Sequence, residues 1–189
     1  MIEATIHDKD RIVQILARSF ENNKSVNYVL PGGSDNVFRI KHLMDYSFNM
    51  CFNNGNIFLS EDKDACVLTL YPHKSKYHIK RFLWDLKLIF FAFGISQLPK
   101  VLKREKTIAK AKDKVPQLYI WFIGVDPSQQ RKGIGSKLLK EVLLKARAEK
   151  LPIYLETSTL ENIPWYLKHG FDVYHTHDFT YRLFFLKTK

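Results

Sequence analysis

Long apolar runs are missing from this 189-residue sequence. A bilayer-crossing helix needs about 20 predominantly apolar residues, and the most apolar stretch, residues 88–95, is far shorter, so no transmembrane segment is expected. The opening MIEATIHDKD carries acidic residues and no apolar centre, unlike a secretory signal, and points to a cytoplasmic protein. Cysteine is scarce: Cys51 and Cys66 stand in neither a C-x-x-C nor a zinc-like spacing, which argues against a disulfide scaffold and fits free buried thiols in a reducing compartment. Neither H-E-x-x-H nor G-x-S-x-G occurs, so zinc-hydrolase and serine-hydrolase chemistry have no support. Acidic residues are also short, 19 Asp and Glu against 30 Lys and Arg, and the resulting +11 favours an anionic partner such as nucleic acid, a membrane surface or a phosphorylated small molecule. An apolar share of 46% with 14% aromatics supplies a core and excludes a disordered or fibrous chain, and the length suits a single domain over residues 1–189.

The apolar residues that are present follow two periods. Ile2, Ala4 and Ile6 alternate with polar neighbours as in a strand, and Ile12, Ile15, Leu16 and Phe20 then repeat at helical spacing. The polar residues 23–35, containing PGGSD, read as a loop before a helix over about 37–52, which Asn53, Asn54 and Gly55 stop. Residues 57–59 and 65–71 flank a polar turn, the pattern of a β-hairpin. Residues 118–125, 153–157, 171–175 and 181–186 are strand-like, with a helix over about 133–150 between the first two. By strand parity Tyr119, Trp121, Ile123 and Val125 are expected to share one face. Mixed strands and helices without repeats indicate an α/β or α+β sheet protein.

Residues 78–114 depart from this pattern. They read as two helices broken near Gly94 and Pro99, and they carry ten Lys and Arg against three Asp and Glu, so most of the charge excess lies in a fifth of the chain. A helical hairpin with one buried face accounts for the pattern, and a substrate-pocket wall, a membrane-surface contact or a partner face are the functional alternatives.

The most informative stretch is YIWFIGVDPSQQRKGIGSKLLK, residues 119–140, where a strand meets Asp126-Pro127, crosses a polar turn and enters an amphipathic helix at Gly133-Ile134-Gly135. A helix N-terminus presents unpaired N–H donors and about half a positive charge, and glycines let a phosphate approach the backbone. Arg131 and Lys132 add charge, so the arrangement suits a pyrophosphate. A Walker A loop is excluded because Gly133 and Gly135 are too close together and Ser136 precedes Lys137. A dinucleotide fingerprint fits poorly because Leu138 stands where a third small residue belongs.

The spacing Gln130-x-x-Gly133-x-Gly135 after Gly-Val-Asp-Pro resembles motif A of the GNAT superfamily of acyl-CoA-dependent N-acyltransferases. About twenty residues on, a strand ending in Leu155-Glu156-Thr157-Ser158 and the run from Asn162 through Tyr166 to Gly170-Phe171 are similar to that family's motif B. Asn162 and Tyr166, at i and i+4, fall on one helical face, and Gly170 suits a left-handed cap. The resemblance covers residues 118–171. It implies a mixed, mostly antiparallel sheet of six to seven strands flanked by helices, with 78–114 inserted between the third and fourth strands. It also implies acetyl-CoA as co-substrate, its arm lying along Ile123, Gly124 and Val125 where two parallel strands splay apart. The pyrophosphate would be wrapped by Gln130, Arg131, Lys132, Gly133, Ile134, Gly135 and Ser136, with Asn162 and Lys168 touching the arm or phosphates.

The implied reaction is attack of a neutral amine on the thioester, with a backbone donor near Val125 at the oxyanion. Tyr166 would be the general acid and Glu156 the candidate base, the strand at 118–125 having no carboxylate. The acceptor is expected to be a small molecule entering beside the insertion; neither nucleic acid nor a metal cofactor is expected, and a homodimer is compatible with the sequence. His175 and His177 alternate on one strand without an evident third metal ligand, and they read as surface or acceptor-site residues, whereas His73, His78 and His169 are isolated. The alternative from another class is a non-catalytic acyl-CoA sensor, or a basic nucleic-acid or membrane-binding module, on the same fold.

Overall fold

A computed structural model describes residues 1–74 and 79–189. His78, at the start of the expected insertion, therefore lies outside the described residues. Seven strands form one sheet: β1 (Ile2–Glu3), β2 (Gly55–Leu59), β3 (Ala65–Leu70), β4 (Leu118–Val125), β5 (Ile153–Thr157), β6 (Phe171–Asp178) and β7 (Arg182–Thr188), in the order β1-β2-β3-β4-β5-β7-β6. Every neighbouring pair is antiparallel except β4 with β5.

The helices cover both faces. On one, α1 (Lys9–Ser19) buries Ile12, Ile15 and Leu16, and α3 (Asn36–Asn54) buries Ile40, Met44 and Phe48 in a common core with Leu59 and Leu68. On the other, α6 (Ile134–Ala148) buries Leu138, Leu139, Val142 and Ala146 against Leu118, Ile120 and Leu155. Each such side chain contributes about 1.5–3 kcal/mol by leaving water, which fixes both layers against the sheet. Cys51 and Cys66 are free and fully buried, and burial pushes both thiols above their ordinary pKa.

Three local features differ from the sequence expectation. The expected loop at 23–35 contains a short helix, α2 (Lys24–Val29), because the Asn23 side chain accepts from the N–H groups of Ser25 and Val26 and because Val26 and Val29 find buried positions. Pro99 does not break the inserted helices. It sits in the first turn of α5 (Leu98–Ala111), where its missing N–H costs nothing. The break is at Gly94 alone, whose φ of +72° favours glycine, after α4 (Ile79–Lys87) has widened into a π-helical turn over Leu88–Phe93.

The third difference lies in β4. Its register against β3 pairs Leu68 with Phe122 and Thr69 with Ile120, so Trp121 is an extra residue, a β-bulge. Side-chain parity reverses there. Leu118 and Ile120 face α6, but beyond the bulge it is Ile123 and Val125 that pack on that side, while Trp121 packs with the α1–α3 core. The single face expected for Tyr119, Trp121, Ile123 and Val125 is therefore divided.

Gly124 is where α1 meets β4. A Cβ there would lie 3.0 Å from Leu16 Cδ2 and 3.2 Å from Ser19 Oγ. Gly124→Val should consequently lower stability by about 1–3 kcal/mol through overpacking, read as a lower urea midpoint with an unchanged m-value.

Candidate active site

The parallel pair β4–β5 is joined only at Leu118–Ile153 and Tyr119–Tyr154. Past Tyr119 the strands part, while β4 remains held by β3 through Val125 and β5 by β7 through Thr157. The N–H of Asp126 bonds to Asp64 O on the β3 side at 2.8 Å. By strand alternation, the main-chain groups of Val125 and Ile123 point the other way, into the wedge. The carbonyl of Val125 is occupied there by the Ser19 hydroxyl at 2.8 Å and Gln130 Nε2 at 3.2 Å.

The wedge leads to the N-terminus of α6. Gly133 caps it with φ +82°, and the first backbone bond back is from Lys137 N–H to Gly133 O at 3.0 Å, so the N–H groups of Ile134, Gly135 and Ser136 are left open. Gln130, Arg131, Lys132 and Gly133 are exposed, and Arg131 itself adopts φ +64°. A cavity of about 320 Å³ reaches Lys132, Gly133, Ile134 and Lys137 from the side of Ser60 and Glu61. At Gly135 a Cβ would stand 3.2 Å from Val125 Cγ2, which is why the first turn of α6 can close on the end of β4.

Two residues outside the expected set hold this loop. Asp126, 3% exposed, accepts from Ser128 N–H and Oγ at 3.2 and 2.9 Å, and from Arg11 and Arg18, each at 3.1 Å. Burial opposes its charge, but the Ser128 and Arg11 bonds and the Arg18 charge outweigh that and hold its pKa below the usual aspartate value. Trp165 donates to Ser136 Oγ at 2.8 Å, tying α7 (Ile163–Lys168) to the start of α6. The Asp-Pro dipeptide and the Trp-Tyr pair were visible in the sequence; that these residues would meet Arg11, Arg18 and Ser136 was not.

Tyr166 is 5% exposed, packed between Trp165 (4.7 Å between ring centres) and Phe171 (5.5 Å), and lies in the core on the α6 face. Its hydroxyl bonds to none of the described residues, and burial raises its pKa well above the ordinary phenol value, so it keeps its proton at neutral pH. Asn162 and Lys168, at the two ends of α7, are exposed. Gly170 has φ +85° and closes the helix as expected.

Glu156 lies elsewhere. One carboxylate oxygen accepts from Tyr119 Oη across the wedge at 2.5 Å, and the other is 3.1 Å from Lys112 Nζ, which also sits 3.5 Å from the centre of the Tyr119 ring. Its side chain is only 6% exposed. Burial, then the neighbouring carboxylate, pushes the Tyr119 hydroxyl well above its ordinary pKa. Arg104, about two turns before Lys112 on the same side of α5, donates to Ser25 Oγ at 2.7 Å and Tyr181 Oη at 3.2 Å. The inner side of α5, with Arg104, Ile108 and Lys112, therefore covers the sheet face opposite α6. Tyr166 and Glu156 stand on opposite faces with the open wedge between them. His175 and His177 lie beside Phe185 and Phe179, and no cluster that could hold a metal ion occurs among the described residues.

Comparison with known proteins bears on this geometry. Residues 101–173 match the family described as acetyltransferase (GNAT) domain. An uncharacterized N-acetyltransferase of Schizosaccharomyces pombe is 42% identical over 53 residues, which are 28% of this chain and 22% of that protein. The histone acetyltransferase HPA2 and related acetyltransferase of Corynebacterium glutamicum has the same fold, with a TM-score of 0.74 and 21% identity over 99% of this chain and 94% of that one. Arylalkylamine N-acetyltransferase 2 of Aedes aegypti superposes with a TM-score of 0.67 at 15% identity, over 99% of this chain and 96% of that one. PaiA N-acetyltransferase of Thermoplasma acidophilum, solved in complex with coenzyme A, gives 0.56 at 11% over 100% and 96%.

The lowered pKa of Asp126 makes a pH prediction. Its contribution to stability should be complete above the ordinary aspartate pKa of about 4 and be lost as the pH falls further. In thermal unfolding followed across that range, Asp126→Asn should remove this part of the acid dependence, and a curve identical to the parent would refute it.

Proposed function

We propose that this chain, which has the GNAT fold and carries a GNAT acetyltransferase segment, transfers an acetyl group from acetyl-CoA to a primary amine, directly and within a ternary complex. The observation that carries this reading is the wedge between β4 and β5, where the main-chain groups of Ile123 and the N–H of Val125, whose carbonyl is already taken by Ser19 and Gln130, lead to the unpaired N–H groups of Ile134, Gly135 and Ser136. An extended amide-bearing arm can bond along such an edge as an added strand would, and a diphosphate suits the helix terminus at its end.

In this reading Gln130, Arg131, Lys132, Gly133, Ile134, Gly135 and Ser136 surround the pyrophosphate, chiefly with backbone donors, while Ile123, Gly124 and Val125 flank the pantetheine. The Ser136 hydroxyl oxygen accepts from Trp165, which leaves its O–H hydrogen and its backbone N–H as donors. Asn162 and Lys168 reach the arm or the phosphates from the ends of α7. The N–H of Val125 is directed toward the carbonyl that becomes an oxyanion when the amine attacks. As the C–S bond breaks, Tyr166 gives its proton to the departing thiolate, and its apolar surroundings keep that proton in place until then.

Glu156 receives the proton released by the attacking nitrogen. Its position on the α5 face puts the amine on the side of the sheet away from α6, where Arg104, Lys112 and Tyr119 favour a small acceptor with an aromatic or anionic portion. Chain 1–189 acts in this reading as one domain, with the α4–α5 insertion as the acceptor wall.

Acetyl-CoA at about 100 times its dissociation constant should stabilise the fold by about 2.7 kcal/mol, seen as a higher melting temperature. Gly135→Val should abolish the shift. Tyr166→Phe should keep the shift while lowering amine-dependent thiol release by about 10²-fold or more; equal loss of both would make the tyrosine structural and would favour a non-catalytic role. Glu156→Gln should lower turnover and leave the shift intact.

A further inference from the structure

The outer side of the insertion is not used by the proposed reaction, and it is unusual for a water-facing surface. Phe82, Leu83, Phe90, Phe91 and Ile95 are between 48% and 68% exposed. Phe82 and Leu83 precede Phe90 and Phe91 by eight residues, two turns, so they continue one outward stripe, while Leu88, Ala92 and Phe93 face the α1–α3 core. Phe91 stacks on His42, which contacts Phe38, itself 54% exposed, so the patch extends onto the start of α3. Isolated exposed apolar residues are ordinary, but a contiguous group of this kind marks a surface that something else covers.

The charge around the patch is one-sided. Lys87, Lys103, Lys106 and Lys110 are exposed and form no ion pair among the described residues. Of the nearby acids, Asp85 accepts from Tyr46 Oη at 2.7 Å and faces Arg81, and Glu105 pairs with Arg104, while Asp35, exposed just before α3, forms no ion pair among the described residues and is outnumbered by these lysines. The two arms, Arg81–Phe93 and Ile95–Ala111, meet at 97°, and no single described helix is long and apolar enough to cross a membrane. Such a bend can enter a surface at its apex, with the two arms inclined away from it and their lysines reaching back toward it. A symmetric contact with a second copy would bring two segments of ten basic and three acidic residues together, which charge opposes.

We propose that this elbow seats the protein on an anionic lipid surface, with Phe90, Phe91 and Ile95 entering the headgroup boundary and the exposed lysines against lipid phosphates. The inference is independent of the acetyl-transfer reading, since its readout is binding alone.

Vesicle co-sedimentation tests it. Vesicles with about one-third phosphatidylserine should bind the full chain at least about tenfold more strongly than pure phosphatidylcholine, and salt near 0.5 M should weaken that binding. Phe90→Asp with Phe91→Asp, both exposed positions, should reduce it about tenfold or more, and Lys103→Glu with Lys106→Glu should reduce it independently. Circular dichroism and melting temperature check that both variants fold. Absence of binding to anionic vesicles, or equal binding to both vesicle types, overturns the proposal. So does a wild-type dimer that Phe90→Asp dissolves while vesicle binding is unchanged.

Discussion

A parallel strand pair that stops pairing after two positions creates an unusual demand, because the main-chain donors and acceptors along both inner edges still need partners. Here the separation is held from outside. The antiparallel partners β3 and β7 keep β4 and β5 on their own courses, and the bulge at Trp121 twists β4 just where it leaves its neighbour. The site depends on that parting. It directs Ile123 and Val125 into an open edge, brings the end of β4 against the first turn of α6, and separates the face that carries Tyr166 from the face that carries Glu156.

The loop between β4 and α6 is rigid for electrostatic reasons as much as for packing. Asp126 is nearly buried, yet its charge is held by two arginines of α1 and by the turn that follows it. Arg11 also reaches Asp64 and the carbonyl of Lys63, so one guanidinium joins the β2–β3 turn, α1 and the β4–α6 loop. Removing a partner from such a group is costly because the remaining charge stays desolvated. On the opposite side the Trp165–Ser136 bond couples α7 to the same helix start. The open N–H groups of α6 are thus positioned from both faces.

Local periods made most of the elements legible: the strands at 118–125 and 153–157 and the α6 helix lie where alternation and helical spacing indicated. The glycine turn and the Asn-to-Tyr run were also readable, since their chemistry depends on residues close in sequence. What could not be read depends on distant partners. The bulge at Trp121 is defined by its register with β3, and nothing within residues 118–125 announces it. Helix α2 owes its position to Asn23 and to a buried slot supplied by other elements. The pairing of Glu156 with Lys112 joins residues from β5 and the far end of the insertion, so the sequence could nominate the carboxylate but not its neighbour.

The placement of the two cysteines has its own consequence. Cys51 and Cys66 are wholly enclosed in the native core, and their sulfhydryls remain protonated. Deprotonated sulfur is the species that attacks disulfides and alkylating reagents, so the folded chain offers colorimetric thiol probes nothing to react with. Its surface cannot form mixed disulfides with a small mercaptan in the surrounding solution, and any sulfhydryl titre that grows while the protein stays folded must come from another molecule.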